Sequence, residues 1–213
     1  MATSRAYHHG NLREALVAGG VDLARTGGPA AVVLRAVSRR AGVSHNAAYR
    51  HFANHEDLLA AVAARCMEKL GRLMLARSAA VDLPDEVAAA RARLDAIGRA
   101  YIDFALAEPG WFRTAFCGTA TPEGEARHDG PSHDGPGCEG PGEGPYAILS
   151  AHLDELVRLG AFPADRRPGA EYAAWSAVHG LSDLLVEGPL RGLPGAELRT
   201  AVEAVLSTVA RGL

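Results

Sequence analysis

Residues 34–59 read LRAVSRRAGVSHNAAYRHFANHEDLL. On a helical period Leu34, Val37 and Ala41 share one face of a short helix, and Gly42 supplies a sharp turn after it. Ser44 is a good N-cap for a second helix. Within that helix Ala48 and Phe52 stand four apart and point inward, leaving His45, Asn46, Tyr49 and Arg50 on the outer face. A third, longer helix is expected from Glu56 to about Ser78. Two short helices and a tight turn make a helix-turn-helix. Amide, imidazole, phenol and guanidinium groups facing outward suit the base edges of a DNA major groove. An ordinary αα-corner with a solvated polar face would share the pattern.

Charge favours the first reading. Residues 1–52 hold seven arginines against Glu14 and Asp22, a net of +5, while the whole chain is −3 and residues 53–213 therefore −8. A basic quarter on an acidic remainder fits a phosphate-facing head joined to a body that avoids DNA.

Several fixed-spacing elements then agree at once. Tyr7-His8-His9-Gly10-Asn11-Leu12-Arg13, Arg40-Ala41-Gly42-Val43-Ser44, Tyr49-Arg50-His51-Phe52 and Glu56 with Leu58-Leu59 together resemble the N-terminal domain of the TetR-like transcriptional regulators, over about residues 7–62. Trp175 to Gly180, in the pattern W-x-x-x-H-G, resembles a motif in the C-terminal domains of one branch of that family. The resemblance implies an all-α homodimer, usually a repressor, with a DNA-binding head at 1–55 and a ligand-binding and dimerisation body at 56–213. It also implies contacts. Tyr49 and His51 match positions that hold the DNA backbone. Arg35, and His45, Asn46 and Ala47 following Ser44, match positions that reach bases, while Arg50 suits either purpose. Asn46 is expected to pair with adenine and Arg35 with guanine. Three residues depart from the family pattern: Val33 replaces a frequent Ser or Thr cap, Asn46 a frequent Gly, and His55 a Lys that grips phosphate. The operator sequence is therefore not carried over.

Composition agrees with an all-α chain, because Ala, Leu, Arg and Glu dominate and no period-2 alternation is sustained. Three scattered cysteines, Cys66, Cys117 and Cys138, fit a reducing cytosol, and no apolar run suits a membrane span or a secretory leader. A cytoplasmic protein is expected. The sequence has no G-x-S-x-G elbow, no H-E-x-x-H and no P-loop, so catalysis is not expected. Residues 118–145 repeat Gly-Pro and read as a flexible surface loop. The G-x-G-x-x-G at Gly135, Gly137 and Gly140 follows no strand. His128, His133 and Cys138 lack the ligand number and spacing of a zinc site, so neither cofactor nor metal is expected.

Six further helices are expected: Asn11 to Arg25, Glu86 to Ala107, Trp111 to Phe116, Pro145 to Leu159, Gly169 to Glu187, and Ala196 to Arg211. The glycine pair 19–20 and mid-helix Gly180 suggest close packing. Tyr101, Phe104, Trp111, Phe112, Phe116 and Trp175, with Met74, His152 and His179, are candidates to line an apolar effector pocket. Plain core packing is the alternative for each of them. Leu181 and Leu185 on the penultimate helix, and Leu198, Val202, Val205 and Val209 on the last, are candidates for the dimer interface, with burial in the protomer's own core as the alternative.

Overall fold

A computed structural model of the chain describes residues 12–117 and 144–212. Among them are nine α-helices and no strand. In chain order these are α1 (Leu12–Gly27), α2 (Leu34–Ala41), α3 (His45–Tyr49), α4 (His55–Ala79), α5 (Glu86–Ala107), α6 (Pro109–Ala115), α7 (Pro145–Arg158), α8 (Ala170–Val186) and α9 (Gly195–Gly212). The described residues fall into two compact units, one of 12–66 with 110–117, the other of 67–109 with 144–212. The expected arm, the Asn11 cap, Tyr7-His8-His9-Gly10, and the 118–143 stretch with His128, His133 and Cys138 lie outside the described residues.

In the first unit α1 buries Leu16, Val17, Val21 and Ala24. Of the glycine pair only Gly20 is required by packing, since a Cβ there would come within 2.5 Å of Val62 Cγ2 on α4. At Gly19 the nearest atom would be 3.8 Å away, an ordinary contact. Gly42 ends α2 at φ 69° and ψ 30°, the left-handed conformation that closes helices with little strain only at glycine. The Ser44 side chain accepts from the Ala47 N–H at 3.2 Å, and Asn54 does the same for Asp57 at 2.7 Å, which starts α4 at His55. Helix α6 packs here too. A Cβ on Gly110 would collide with the backbone carbonyls of Ala24 and Arg25, the Trp111 indole N–H donates to Val21 O at 2.8 Å, and the Arg25 guanidinium lies 5.1 Å from the Trp111 ring centroid.

In the second unit α5 is the central element, packed against α7, α8 and α9. Asp85 caps it, accepting from Ala88 N–H at 2.6 Å. Ile97, Tyr101 and Phe104 of α5 form a core with Leu149, Leu153 and Leu156 of α7 and Ala174, Val178, Leu181 and Leu185 of α8. Helix α9 runs antiparallel to α5. Leu206 packs over Gly98, where a Cβ would stand 2.7 Å from Leu206 Cδ2, and Arg99 of α5 pairs with Glu203 at 2.5 Å. Leu181 and Leu185 are buried in their own unit, at 5% and 4% exposure, whereas Tyr172 and Leu184 of the same helix are exposed, at 52% and 41%. Gly180 faces open space within the protomer, while a close approach within the unit occurs at Gly98. No helix among the described residues is long and apolar enough to cross a membrane.

Candidate nucleic-acid interface and ligand cavity

Helix α3 is only five residues long, and isolated helices of that length do not persist in water. It is held by its Ser44 cap and by Ala48 and Phe52, exposed 0% and 2%, which seat its inner face in the first unit. The remaining face is open. Ser44, His45, Asn46, Tyr49 and Arg50 are exposed, as are Arg35 on α2 and His55 at the start of α4, while Ala47 and His51 are half-buried. Tyr49 leaves half of its surface in solvent and meets the His45 ring edge-on at a centroid distance of 4.7 Å. Val33 precedes α2 with no side-chain cap bond, as its aliphatic side chain dictates.

Of the basic residues nearby, Arg40 is engaged by Asp22 at 2.9 Å, whereas Arg35 and Arg39 have no ion pair among the described residues. They stand four apart on α2 and so share a face. Arg39 was not singled out as a contact residue in the sequence. Its signal was there: a second arginine one helical turn from Arg35.

The second unit contains a cavity of about 330 Å³. Its wall is mostly apolar, built from Met74, Leu94, Ile97, Tyr101, Leu149, Leu156, Phe162, Trp175, Val178, Leu206 and Val209. Arg91, Asp95 and Arg211 are the charged residues along it. Volumes of this size, with an apolar wall and few polar groups, are typical of small-molecule sites. The aromatic wall is ordered by edge-on packing of Tyr101 against Trp175, with centroids 5.3 Å apart. The Tyr101 hydroxyl shares a hydrogen bond with His179 Nδ1 at 2.8 Å. Burial pushes the phenol far above its usual range and pulls the His179 imidazole below its own, so both groups are neutral at pH 7.

Three of the nine pocket candidates, Met74, Tyr101 and Trp175, line this cavity. The other six do not, and for the physical reason that each is committed elsewhere. Phe104 is buried in the core. His152 donates from Nδ1 to Ile148 O at 2.8 Å and meets Ser78 Oγ at 2.6 Å through Nε2, which uses both ring nitrogens. His179 supports Tyr101 from behind the wall. Trp111, Phe112 and Phe116 belong to the first unit, where Phe112 and Phe116 lie against each other with centroids 5.2 Å apart. Of the dimer candidates on α9, Leu198, Val202, Val205 and Val209 are all half-buried.

Residues 16–62 match the family model of bacterial regulatory proteins of the tetR family. Residues 94–209, more than half of the chain, match that of the tetracyclin repressor-like C-terminal domain. No curated protein sequence matches the chain. Among solved structures, a protein of unknown function from Rhodococcus sp. RHA1 is 27% identical, with a TM-score of 0.73 over 99% of both chains. A chain described as a tetR-family transcription regulator from Shewanella sp. PV-4 is 12% identical, with a TM-score of 0.64 over 94% of this chain and 96% of that one. A transcriptional regulator from Rhodococcus sp. Rha1 is 18% identical, at 0.51 over 94% and 96%. The last two show a shared fold alone. Together with an exposed recognition helix seated in a three-helix head, the two family matches place this chain in the TetR family, as a DNA-binding transcriptional regulator.

Proposed function

We propose that the protein is a cytoplasmic, homodimeric repressor that leaves a near-palindromic operator when a small, largely apolar effector fills the cavity of the second unit. The observation that carries this reading is the pairing, in one chain, of a solvent-facing α3 with an apolar cavity of about 330 Å³. Residues 1–55 would supply the DNA-binding domain and 56–213 the effector and dimer functions, with α6 working alongside the first unit. The half-buried stripe of α9 and Leu184 of α8 would form the apolar part of the dimer surface. The W-x-x-x-H-G pattern would mark its branch of the family, with Trp175 on the cavity wall and His179 bonded to Tyr101. Twofold symmetry would set the recognition helices about 34–36 Å apart on the duplex, or a multiple of that.

Selecting bound sites from random DNA and then titrating hydrophobic compounds against the complex tests the whole reading. An effector that prefers the DNA-incompetent state by a typical 1–3 kcal/mol should weaken operator binding about 5- to 150-fold. If the protein is a monomer, or if no compound that binds it shifts operator affinity, the reading gives way to an effector-independent DNA binder.

The contact types separate by mutation. Tyr49→Phe should weaken binding to every sequence alike, because it removes a phosphate-facing hydroxyl and reads no base. Asn46→Ala should relax preference at one base pair in each half-site, at about 1–3 kcal/mol if the amide is bidentate to adenine. An unchanged selected motif for Asn46→Ala would show that the helix sits in the groove in a different register.

A further inference from the structure

The charged residues of the cavity are unevenly partnered. Asp95 lies one turn after Arg91 on α5, the spacing at which the two would pair. Its carboxylate instead accepts from Arg99 Nε at 2.6 Å, on its other side. Arg91 is exposed and has no ion pair or hydrogen-bonded partner among the described residues. Among the described residues, the one hydrogen bond of Arg211, on α9, is to the Ser207 hydroxyl, at 3.4 Å. With Asp95 satisfied, the cavity carries two guanidiniums that no described carboxylate neutralises.

Local helix energetics account for only one of them. Arg211 stands in the last turn of α9, where a cation complements the helix dipole. Arg91 stands in the second turn of α5, where a positive charge gains nothing from the dipole. Both line the same apolar space as Met74, Ile97, Trp175 and Val209. A neutral hydrocarbon would fill that wall and leave both guanidiniums unused. An acid would use the wall and the charges together.

We propose that the effector is an amphipathic acid, with an acyl or aryl body enclosed by the apolar wall and one carboxylate held by Arg91 and Arg211. This rests on the effector reading given above. A carboxylate accepts two parallel N–H bonds from a guanidinium, a geometry that an alcohol or ester cannot reproduce.

The experiment uses the full chain and four probes: octanoate, 3-phenylpropanoate and the methyl ester of each. Affinity is read by calorimetry and operator release by gel retardation. At least one acid should bind about tenfold or more tighter than its ester, since one charge-assisted contact of this kind is worth about a factor of ten. Arg91→Gln and Arg211→Gln should each lower that acid-to-ester ratio, and the double variant should bring it close to one. Arg91→Lys should retain part of the preference, which separates lost charge from a damaged fold. Acid and ester binding equally well, or a double variant that keeps the preference, overturns the acid assignment while leaving the effector reading intact. If esters bind and release operator but acids do not, the result is the same. If neither class binds, the effector reading itself falls.

Discussion

Gly110→Ala should destabilise the protein by about 3 kcal/mol, near the upper end of what overpacking costs, because the atoms it meets cannot move aside. A Cβ at this position would overlap the carbonyl oxygens of Ala24 and Arg25, which are backbone at the end of α1. A flexible side chain could turn away, but these groups can yield only if α6 lifts or α1 unwinds. Lifting α6 breaks the Trp111 indole bond to Val21 O and separates Trp111 from the Arg25 guanidinium. The damage therefore falls on the unit that carries α3, although Gly110 follows α5 by only three residues. Urea unfolding should show a lower midpoint with an unchanged slope, and operator affinity should fall with it. Gly180→Ala is the contrast, since open space surrounds that position in the protomer. An unaltered midpoint for Gly110→Ala would mean that α6 does not rest on α1.

Why α6 belongs with the first unit was not legible in the sequence, and the reason is physical. Trp111, Phe112 and Phe116 announce an aromatic, apolar helix, but hydrophobicity has no direction. A pocket wall and a docking face against α1 ask for the same residue types. Pro109-Gly110 was the available clue, because a glycine in the first turn of a helix invites a close backbone neighbour. The α8 residues illustrate a related limit. Periodicity put Leu181 and Leu185 on one face, but a period cannot say whether that face meets the protomer's own core or a second copy. In the protomer both are buried, while Tyr172 and Leu184 of the same helix stay exposed. Histidines were hard for a third reason, since whether His152 and His179 are ligands or satisfied core groups depends on partners 74 and 78 residues away in sequence. By contrast the helix-turn-helix was legible almost residue by residue. Its signals are local: a left-handed glycine at 42, a serine cap at 44, and inward positions 48 and 52 four apart.

That locality governs where the head is most vulnerable, and Phe52→Ala should show it. Phe→Ala in a packed core costs about 3–5 kcal/mol, through lost transfer energy and the cavity left behind. Phe52 is exposed by only 2%, and the Arg13 guanidinium sits 5.3 Å from its ring centroid, so the ring seals the inner face of the turn that follows α3. A five-residue helix has almost no stability of its own, and its one side-chain cap, Ser44, contributes about 1 kcal/mol. Without the ring, the exposed set of His45, Asn46, Tyr49 and Arg50 should lose the common scaffold that aims it. Operator binding should then disappear from a gel at protein concentrations that saturate the unmodified chain. Phe52→Leu, which fills part of the volume, should retain measurable binding. The second unit supplies an internal check. Its core, around Ile97, Leu153 and Leu185, does not include residue 52, so the affinity of the proposed effector for the 330 Å³ cavity should change far less than DNA affinity. If Phe52→Ala kept full operator affinity, α3 would be held by something other than its packing.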